Sequence, residues 1–267
     1  LEYASKGSNL THLSQHFRRH GQRFVTSPVF EPEKTRGARV FKDLVDQKNI
    51  KFGSSSWPRV SAYAAVAAEF PNATFCSYIA PFTEEYVPCN GTENLSFHPI
   101  GLGIQELLAT SQTFDPVHVI SGMSYNHVAH LLATPMNGTL FKEGVDFHAF
   151  DLEDSMFSME DGIMVNSTWL SEFGNTATLI EFLWGVNRGW IYCRDHEDEC
   201  VDFVTPDGSS DVTLRAIQRF QMREVNKLIW PAPGGIGTHL EESMLKTEAA
   251  ALRTGIINKT VPFEEHT

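Results

Sequence analysis

The sequence predicts an α/β fold in which helices cover mainly parallel sheet. Short β-rich segments alternate with helical patterns through the first half, joined by short connections. The last third carries three amphipathic helical patterns. A length of 267 residues, 42% hydrophobic and 20% charged, is enough for one large domain or two lobes.

The first half supplies the strands of this fold. A helix is predicted near the start, because Leu10, Leu13 and Phe17 recur at helical spacing and Gly21 suits a helix end. The predicted strands are Phe24–Thr26, Ile50–Gly53, Ala73–Ile79, Leu95–Phe97 and Val117–Ile120. The predicted helices between them cover 33–46, 58–68 and 102–109. Residues 134–161 have weak periodicity and predict no clear element.

The last third is predicted to be helical. The first apolar stripe consists of Leu179, Phe182, Leu183, Val186 and Trp190. The second consists of Leu214, Ile217, Phe220, Val225 and Leu228. The third, Leu240, Met244 and Leu252, ends at Gly255 after a proline- and glycine-rich loop.

Composition and charge argue against several partners. The net charge is −12, from 21 basic and 33 acidic side chains, and such a surface repels nucleic acid and anionic lipid. No apolar run approaches the roughly 18 residues that a membrane helix needs. Residue 1 is Leu and no basic-then-apolar leader follows, so we expect a targeting peptide to be absent or already removed.

Glycosylation sequons indicate the secretory pathway. Chance would supply roughly two such triplets, and the chain has an excess over that number. The predicted glycosylation sites are Asn9, Asn72, Asn90, Asn94, Asn137, Asn166 and Asn258. The alternative is that these triplets reflect polar loops rich in Asn and Thr. We expect a secreted or surface-exposed protein.

The four cysteines fit an oxidising compartment. We predict the two sequence-local disulfides, Cys76–Cys89 and Cys193–Cys200, out of three pairings. A metal site formed by Cys193, His196 and Cys200 is the rival interpretation, but the spacing matches no common zinc pattern. The sequence therefore predicts no metal and no cofactor.

Polar side chains follow three predicted strands. Ligands in parallel α/β sheets gather at the carboxyl ends of strands, so these loops are the predicted binding site. The three loops cover 54–58, 98–101 and 121–127. The candidate ligand-binding residues are Ser54, Ser55, Ser56, Trp57, His98, Ser124, Tyr125, Asn126 and His127. For Trp57 or Tyr125 alone, a core position is as good an interpretation as ligand stacking.

Motifs that would identify an enzyme are mostly missing. The sequence has no GxSxG elbow, HExxH pair, Walker loop or GxGxxG run. The run Arg19–Arg23 (RHGQR) resembles the core of the histidine phosphatases. In that family the core follows a buried strand, whereas the residues before it here have a helical pattern. We interpret this run as a basic helix end.

The C-terminal half resembles the NMT1/THI5-like branch of the periplasmic solute-binding proteins. The resemblance covers roughly 100 residues and depends on spaced strand and helix signatures. Those signatures are Asp161–Val165, Trp169–Phe173, Phe182–Trp190 with its Arg-Gly-Trp end, Cys200–Val204 and Gly235–Ile256. The Arg-Gly-Trp segment is predicted to be structural and is not carried over as a binding site.

The resemblance implies a periplasmic-binding-protein-like fold of two α/β lobes. Residues 51–120 and 166–267 would form the main lobe with its C-terminal helices. Residues 1–50 and 121–165 would form the second lobe or the lobe-connecting segments. A small polar or heteroaromatic molecule would lie in the cleft between the lobes, since relatives bind pyrimidine precursors, alkanesulfonates, nitrate or riboflavin. The chain is shorter than is usual in this family.

Three functions remain open from the sequence. The first is a non-catalytic binding protein for a small molecule, with a membrane transporter or another extracellular protein as a further partner. The second is a degenerate clamp that acts as a structural or interaction subunit of an extracellular complex. The third is a hydrolase that uses His98 or His127 as its base, or a phosphatase that uses His20.

Overall fold

The computed structural model describes ten stretches of the chain. They are residues 7–26, 50–54, 75–77, 95–99, 119–133, 142–143, 147–151, 160–205, 212–253 and 257–261. The chain divides into two compact units. The terminal unit consists of Leu1–His20 and Phe157–Thr267, and the central unit is Gly21–Met156. The lobe boundaries expected from the sequence stay a prediction.

Strands and helices both occur in the described stretches. The strands are β1 (Leu10–Gln15), β2 (Gln22–Thr26), β3 (Ile50–Ser54), β4 (Phe75–Ser77), β5 (Leu95–Pro99), β6 (Val119–Met123), β7 (His148–Asp151) and β8 (Gly162–Asn166). The α-helices are α1 (Ala129–Ala133), α2 (Ser167–Ser171), α3 (Asn175–Asp195), α4 (Glu197–Val204), α5 (Val212–Ile229) and α6 (Glu241–Arg253). The fold is therefore α/β, as predicted.

A six-stranded sheet forms the centre of the central unit. Its strand order is β4-β5-β3-β6-β2-β7. The pairs β4–β5, β5–β3 and β3–β6 are parallel, and β2 is antiparallel to both of its neighbours. The parallel part confirms the strands predicted near residues 50, 75, 95 and 119.

Apolar side chains on neighbouring strands hold this sheet in its core. Ile50, Phe52 and Val119 are fully buried, and Ile120, next along β6, is also buried. Burial on successive residues means that both faces of the strand are covered, which is typical of central parallel strands. Phe52 also packs edge-to-face on Phe24 of β2, with ring centroids 5.6 Å apart.

The terminal unit is built on a two-stranded antiparallel sheet. In it, β1 pairs with β8, for example Leu10 with Asn166 and His12 with Met164. The helix predicted from Leu10, Leu13 and Phe17 is therefore wrong. A pairing partner roughly 150 residues away decides this conformation, and local spacing cannot report such a partner.

The three helices predicted for the last third are confirmed as α3, α5 and α6, but Phe182 of the first predicted stripe is 55% exposed. Along α5, Ile217 and Leu228 are buried as expected. Along α3, none of the residues is fully buried. Trp190 does pack edge-to-face on Phe17, at 5.8 Å between ring centroids, so one side of α3 faces its own unit.

A disulfide and ion pairs connect α3, α4 and α5. Cys193 of α3 is bonded to Cys200 of α4, which confirms the pairing predicted from their proximity. Between α4 and α5, three arginines spaced four residues apart each contact an acidic residue. The pairs are Arg223–Glu197 at 2.8 Å, Arg219–Asp198 at 2.5 Å and Arg215–Asp202.

Several sequence predictions lie outside the described residues. The helices predicted over 33–46, 58–68 and 102–109 are among them. The stretch that predicted no clear element contains β7, which adds an edge to the sheet beside β2. Its partner strand lies about 125 residues earlier in the chain, so no local signal was available.

Candidate ligand site

The carboxyl ends of three parallel strands lie side by side in the central unit. β3 has β5 on one side and β6 on the other. In the register, Ser54 lies opposite Pro99 and Ser121, and His98 lies opposite Gly53. The strand ends at which ligand binding was predicted therefore lie at the same edge of one sheet, which we call the β3–β5–β6 edge. Residues 121–127 were predicted as a loop, but they form the end of β6 and the start of a helical segment.

A π-helical segment, Ser124–Val128, follows β6 without an intervening loop. Its first residue, Ser124, is buried, and the Ser124 backbone N–H donates to the carbonyl oxygen of Gly21 at 2.7 Å. Tyr125 is half-buried and Asn126 is exposed. The segment is thus fixed to β2 at its start and presents a phenol and an amide next to the strand end.

His127 folds back over the end of β6. Its Nδ1 accepts a hydrogen bond from the Met123 backbone N–H at 3.0 Å. The ring packs so closely on Gly122 that an added Cβ there would lie 2.8 Å from His127 Cβ. Burial, with His130 nearby, lowers the pKa of His127, so the imidazole is neutral at pH 7.

A buried polar pair lies under this edge. The Gln22 side-chain amide donates to Ser121 Oγ, and both residues are almost completely buried. Gln22 lies opposite Met123 in the β2–β6 register. Buried polar groups are costly unless hydrogen-bonded, so this pair fixes the side chain of Ser121 below the strand end.

The predicted site residues are placed as follows. The backbone of Ser54 and of His98 lies at the β3–β5–β6 edge, and so does the segment from Ser124 to His127. Ser55, Ser56 and Trp57 lie outside the described residues. Sequence reasoning missed Gln22 and Gly122, since neither carries a signal until β2 and β6 are known to be neighbours.

The histidine-phosphatase-like run has a structural role in the terminal unit. It follows strand β1, so its interpretation as a basic helix end is wrong. Arg18 donates to the carbonyl oxygens of Pro233 and Gly235, at 2.7 and 2.6 Å. Arg19 donates to Trp230 O at 2.9 Å. These guanidinium groups therefore hold the loop between α5 and α6.

The surroundings of His20 do not suit catalysis either. Burial lowers the pKa of His20 to about 4. A phosphatase needs a histidine whose nitrogen reaches solvent and a phosphate, with cationic partners nearby. The arginines that precede His20 are instead bonded to backbone carbonyls. This arrangement does not favour the phosphatase alternative.

Three histidines that the sequence did not connect lie close together in the terminal unit. His12 packs edge-to-face on His239, with ring centroids 4.6 Å apart. His16 Nε2 donates to Asn187 Oδ1 at 2.8 Å, and Ser14 Oγ donates to Gly237 O at 3.2 Å. Burial, reinforced by His239, lowers the pKa of His12 to about 4. These residues come from separate elements, so no spacing could reveal them.

The described residues contain no group of three or more potential metal ligands. The rival zinc interpretation of Cys193, His196 and Cys200 is wrong, because the two sulfurs form a disulfide. Cys76 lies in β4, while Cys89 is outside the described residues, so their pairing stays a prediction.

Three of the predicted glycosylation sites lie in described residues. Asn166 is exposed, and its Oδ1 accepts from the backbone N–H groups of Thr168 and Trp169 at the start of α2. Asn9 is exposed, and its amide donates to Thr168 Oγ1. Asn258 is exposed. The remaining sites lie outside the described residues, namely Asn72, Asn90, Asn94 and Asn137.

Comparison with known proteins yields a structural likeness only. No protein-family model matches the chain. No curated protein matches it either. A solved structure of a protein from Bordetella bronchiseptica RB50 resembles the chain with a TM-score of 0.55 and 14% sequence identity. The likeness covers 100% of this chain and 72% of that one, and at this identity it bears on the fold alone.

Among the described residues, no helix combines the length and the apolar character that crossing a membrane requires.

Proposed function

We propose that the protein is a non-catalytic binding protein for a small polar or heteroaromatic molecule, held at the β3–β5–β6 edge. One observation carries the proposal: β3, β5 and β6 are adjacent and parallel, so their following loops leave a single edge. Ligands of α/β proteins bind outside the carboxyl ends of such strands.

The groups at this edge suit a polar ligand of modest size. Tyr125 and Asn126 offer a ring face and an amide, and His127 offers an imidazole. These three side chains are uncharged, so each can contribute a neutral hydrogen bond. A heteroaromatic ring with acceptor atoms would meet both a stacking surface and hydrogen-bond donors.

A periplasmic-binding-protein-like, two-lobed architecture and a secretory location belong to the same proposal. The α/β fold and the division into two compact units are compatible with them. The Cys193–Cys200 disulfide is compatible with an extracellular protein. Because the net charge is −12, we expect the purified protein to bind neither nucleic acid nor anionic vesicles.

A hydrolase in which His127 is the base is less well supported. A general base needs a free lone pair directed at the proton that it removes. The Nδ1 lone pair of His127 accepts the Met123 N–H, and the other ring nitrogen then carries the proton. The imidazole is arranged to donate a hydrogen bond.

An interaction subunit is the second candidate function, and the surface of α3 favours it. Ile180, Trp184 and Ile191 lie on one side of this helix, and Ile180 and Trp184 are each 62% exposed. Phe173, just before α3, is fully exposed. Large exposed apolar side chains often mark protein contacts. Size-exclusion chromatography with multi-angle light scattering would detect self-association.

A thermal-shift screen tests the leading proposal. The purified protein is heated with 4-aminopyrimidine, methanesulfonate, nitrate and riboflavin in turn, and each hit is confirmed by isothermal titration calorimetry. We expect at least one saturable stabilisation, since a ligand that binds only the native state raises its stability. Absence of a saturable shift with every compound would argue against the proposal.

A further inference from the structure

We infer that His127 is held as the tautomer with its proton on Nε2, and that this N–H donates to an acceptor atom of the bound molecule. The site would then select ligands that present a ring nitrogen, a carbonyl oxygen or an oxyanion, and would reject cations. The inference rests on the proposed function and names the residue that sets its specificity.

The Nδ1 lone pair of His127 is already occupied by a hydrogen bond. Met123 N–H donates to His127 Nδ1 at 3.0 Å. A neutral imidazole has one nitrogen that accepts and one that donates. Because the accepting position is fixed by the backbone at the end of β6, the donor is Nε2. A hydrogen bond to one ring nitrogen is how proteins set which of the two nitrogens is protonated.

The position of Nε2 determines whether a ligand can reach it. Within the stretches that the structure describes, Nε2 has no hydrogen-bond partner, and it is not among the buried polar atoms that lack one. Nε2 is therefore not closed off from solvent, and His127 as a whole is half-buried. A ligand acceptor at this position would replace water without leaving a polar atom unsatisfied.

Close packing against Gly122 fixes the position of the His127 ring. His127 Cβ and Cγ lie where a Cβ on Gly122 would approach to 2.8 and 2.9 Å. Glycine at 122 thus lets the imidazole lie directly over the strand end. A ring held by the backbone bond on one side and by Gly122 beneath it donates in one direction, which is what discrimination among ligands needs.

Two variants separate the backbone bond from the ligand bond. In His127→Asn the amide oxygen can occupy the Nδ1 position and accept the Met123 N–H, but the distal donor is lost. In His127→Gln an amide N–H can reach the Nε2 position, while the backbone acceptor is lost. His130→Asn, on the adjoining helix α1, is the matched control, since it changes a neighbouring imidazole and leaves both ring nitrogens of His127 in place.

Calorimetry with the best compound of the screen supplies the main readout. We expect His127→Asn to weaken binding about tenfold while it melts close to the wild type, which corresponds to one lost hydrogen bond. His127→Gln should recover part of the affinity, and His130→Asn should bind like the wild type. Unchanged affinity in His127→Asn would overturn the inference and leave the proposed function standing.

Two further measurements need no variant of His127. The imidazole 15N chemical shifts of the ligand-free protein should show a protonated Nε2 and an unprotonated Nδ1 for His127. The reverse assignment would overturn the inference whatever the protein binds. N-methylpyridinium, a flat cation without an acceptor, should give no thermal shift, and its tight binding would also contradict the inference. If the wild type binds none of the compounds, the proposed function and this inference fail together.

Discussion

At the scale of single residues, two glycines and one arginine fix the His127 ring and the loop between α5 and α6. Gly122 lies under the His127 ring. Gly237 has a φ of +80°, and a Cβ added to it would overlap Ser14 Oγ. A positive φ is a backbone conformation that residues other than glycine adopt only at an energetic cost. Arg18 spans the loop that contains Gly237, so this loop depends on both backbone conformation and hydrogen bonds.

Adding one methyl group at position 122 tests the packing of His127. Gly122→Ala should destabilise the protein by about 1–3 kcal/mol, because the new Cβ would overlap the imidazole. Urea denaturation followed by circular dichroism measures the change. The control is Gly185→Ala in α3, where nothing lies within 4 Å of an added Cβ. That variant should be neutral or gain up to about 1 kcal/mol, since alanine favours a helix.

Replacing the guanidinium at position 18 tests the loop between α5 and α6. Arg18→Lys should cost roughly 2 kcal/mol, because a single ammonium cannot reach Pro233, Gly235 and Thr238 together. Hydrogen exchange should then speed up in residues 233–238. Arg188→Lys, at an exposed residue of α3, is the control, and equal exchange in both variants would contradict the role of Arg18.

At the scale of elements, α4 is attached to its neighbours in two physically different ways. The ion pairs with α5 involve exposed arginines, and exposed pairs contribute little to stability. The disulfide to α3 ends on Cys200, which is almost completely buried. A covalent link acts mainly by restricting the unfolded chain, so it is insensitive to salt.

The disulfide should therefore outweigh the ion pairs. The double variant Cys193→Ser with Cys200→Ser should lose about 2–3 kcal/mol, as expected for a closed loop of this short length. Arg219→Gln should lose less than about 1 kcal/mol, and less still in 1 M salt. Free energies of unfolding from urea titrations at low and high salt give both numbers. A larger loss in Arg219→Gln than in the double variant would contradict this account of α4.

At the scale of the whole molecule, buried neutral histidines set how stability depends on pH. Burial lowers the pKa of His12 and of His20 from 6.5 to about 4. The pKa values of His127 and His239 are lowered for the same reason. Between pH 6.5 and 4 the unfolded chain binds protons that the folded chain does not, so stability falls as the pH falls through this range.

For His20 alone the loss should be on the order of 2–3 kcal/mol between pH 6.5 and pH 4. The free energy of unfolding, measured by urea denaturation at several pH values, should decrease steadily below pH 6.5. His20→Gln should flatten this decrease, whereas His196→Gln, at an exposed position, should leave it as in the wild type. A pH-independent free energy in the wild type would contradict the burial of these rings.

The sequence predicted the central sheet better than the terminal one. Ile50–Gly53 and Val117–Ile120 are rich in β-forming residues, bounded by turn residues and close to the observed β3 and β6. The helical spacing of Leu10, Leu13 and Phe17 led to the wrong prediction of a helix, since β1 is a strand only because β8 pairs with it. Strand pairing over such distances leaves no local trace, and a six-residue strand with mixed side chains has weak periodicity.

The residues of the candidate site were likewise predictable only in part. Ser124, Tyr125 and His127 were predicted because they follow a readable strand. Their cooperation with Gln22 and Gly122 was not predictable, since it depends on β2 lying antiparallel to β6. The histidines at 12, 16 and 239 were also unpredictable as a group, because three separate segments bring them together.

Hydrogen exchange with and without ligand tests the central claim most directly, namely that the β3–β5–β6 edge binds a small molecule. The compound that gives the largest thermal shift is added at saturation, and amide exchange is followed across the chain. We predict protection concentrated in Ser121–Val128 and at the end of β3, with little change in α3 to α6. Protection confined to α3–α6, with none at Ser121–Val128, would contradict the account.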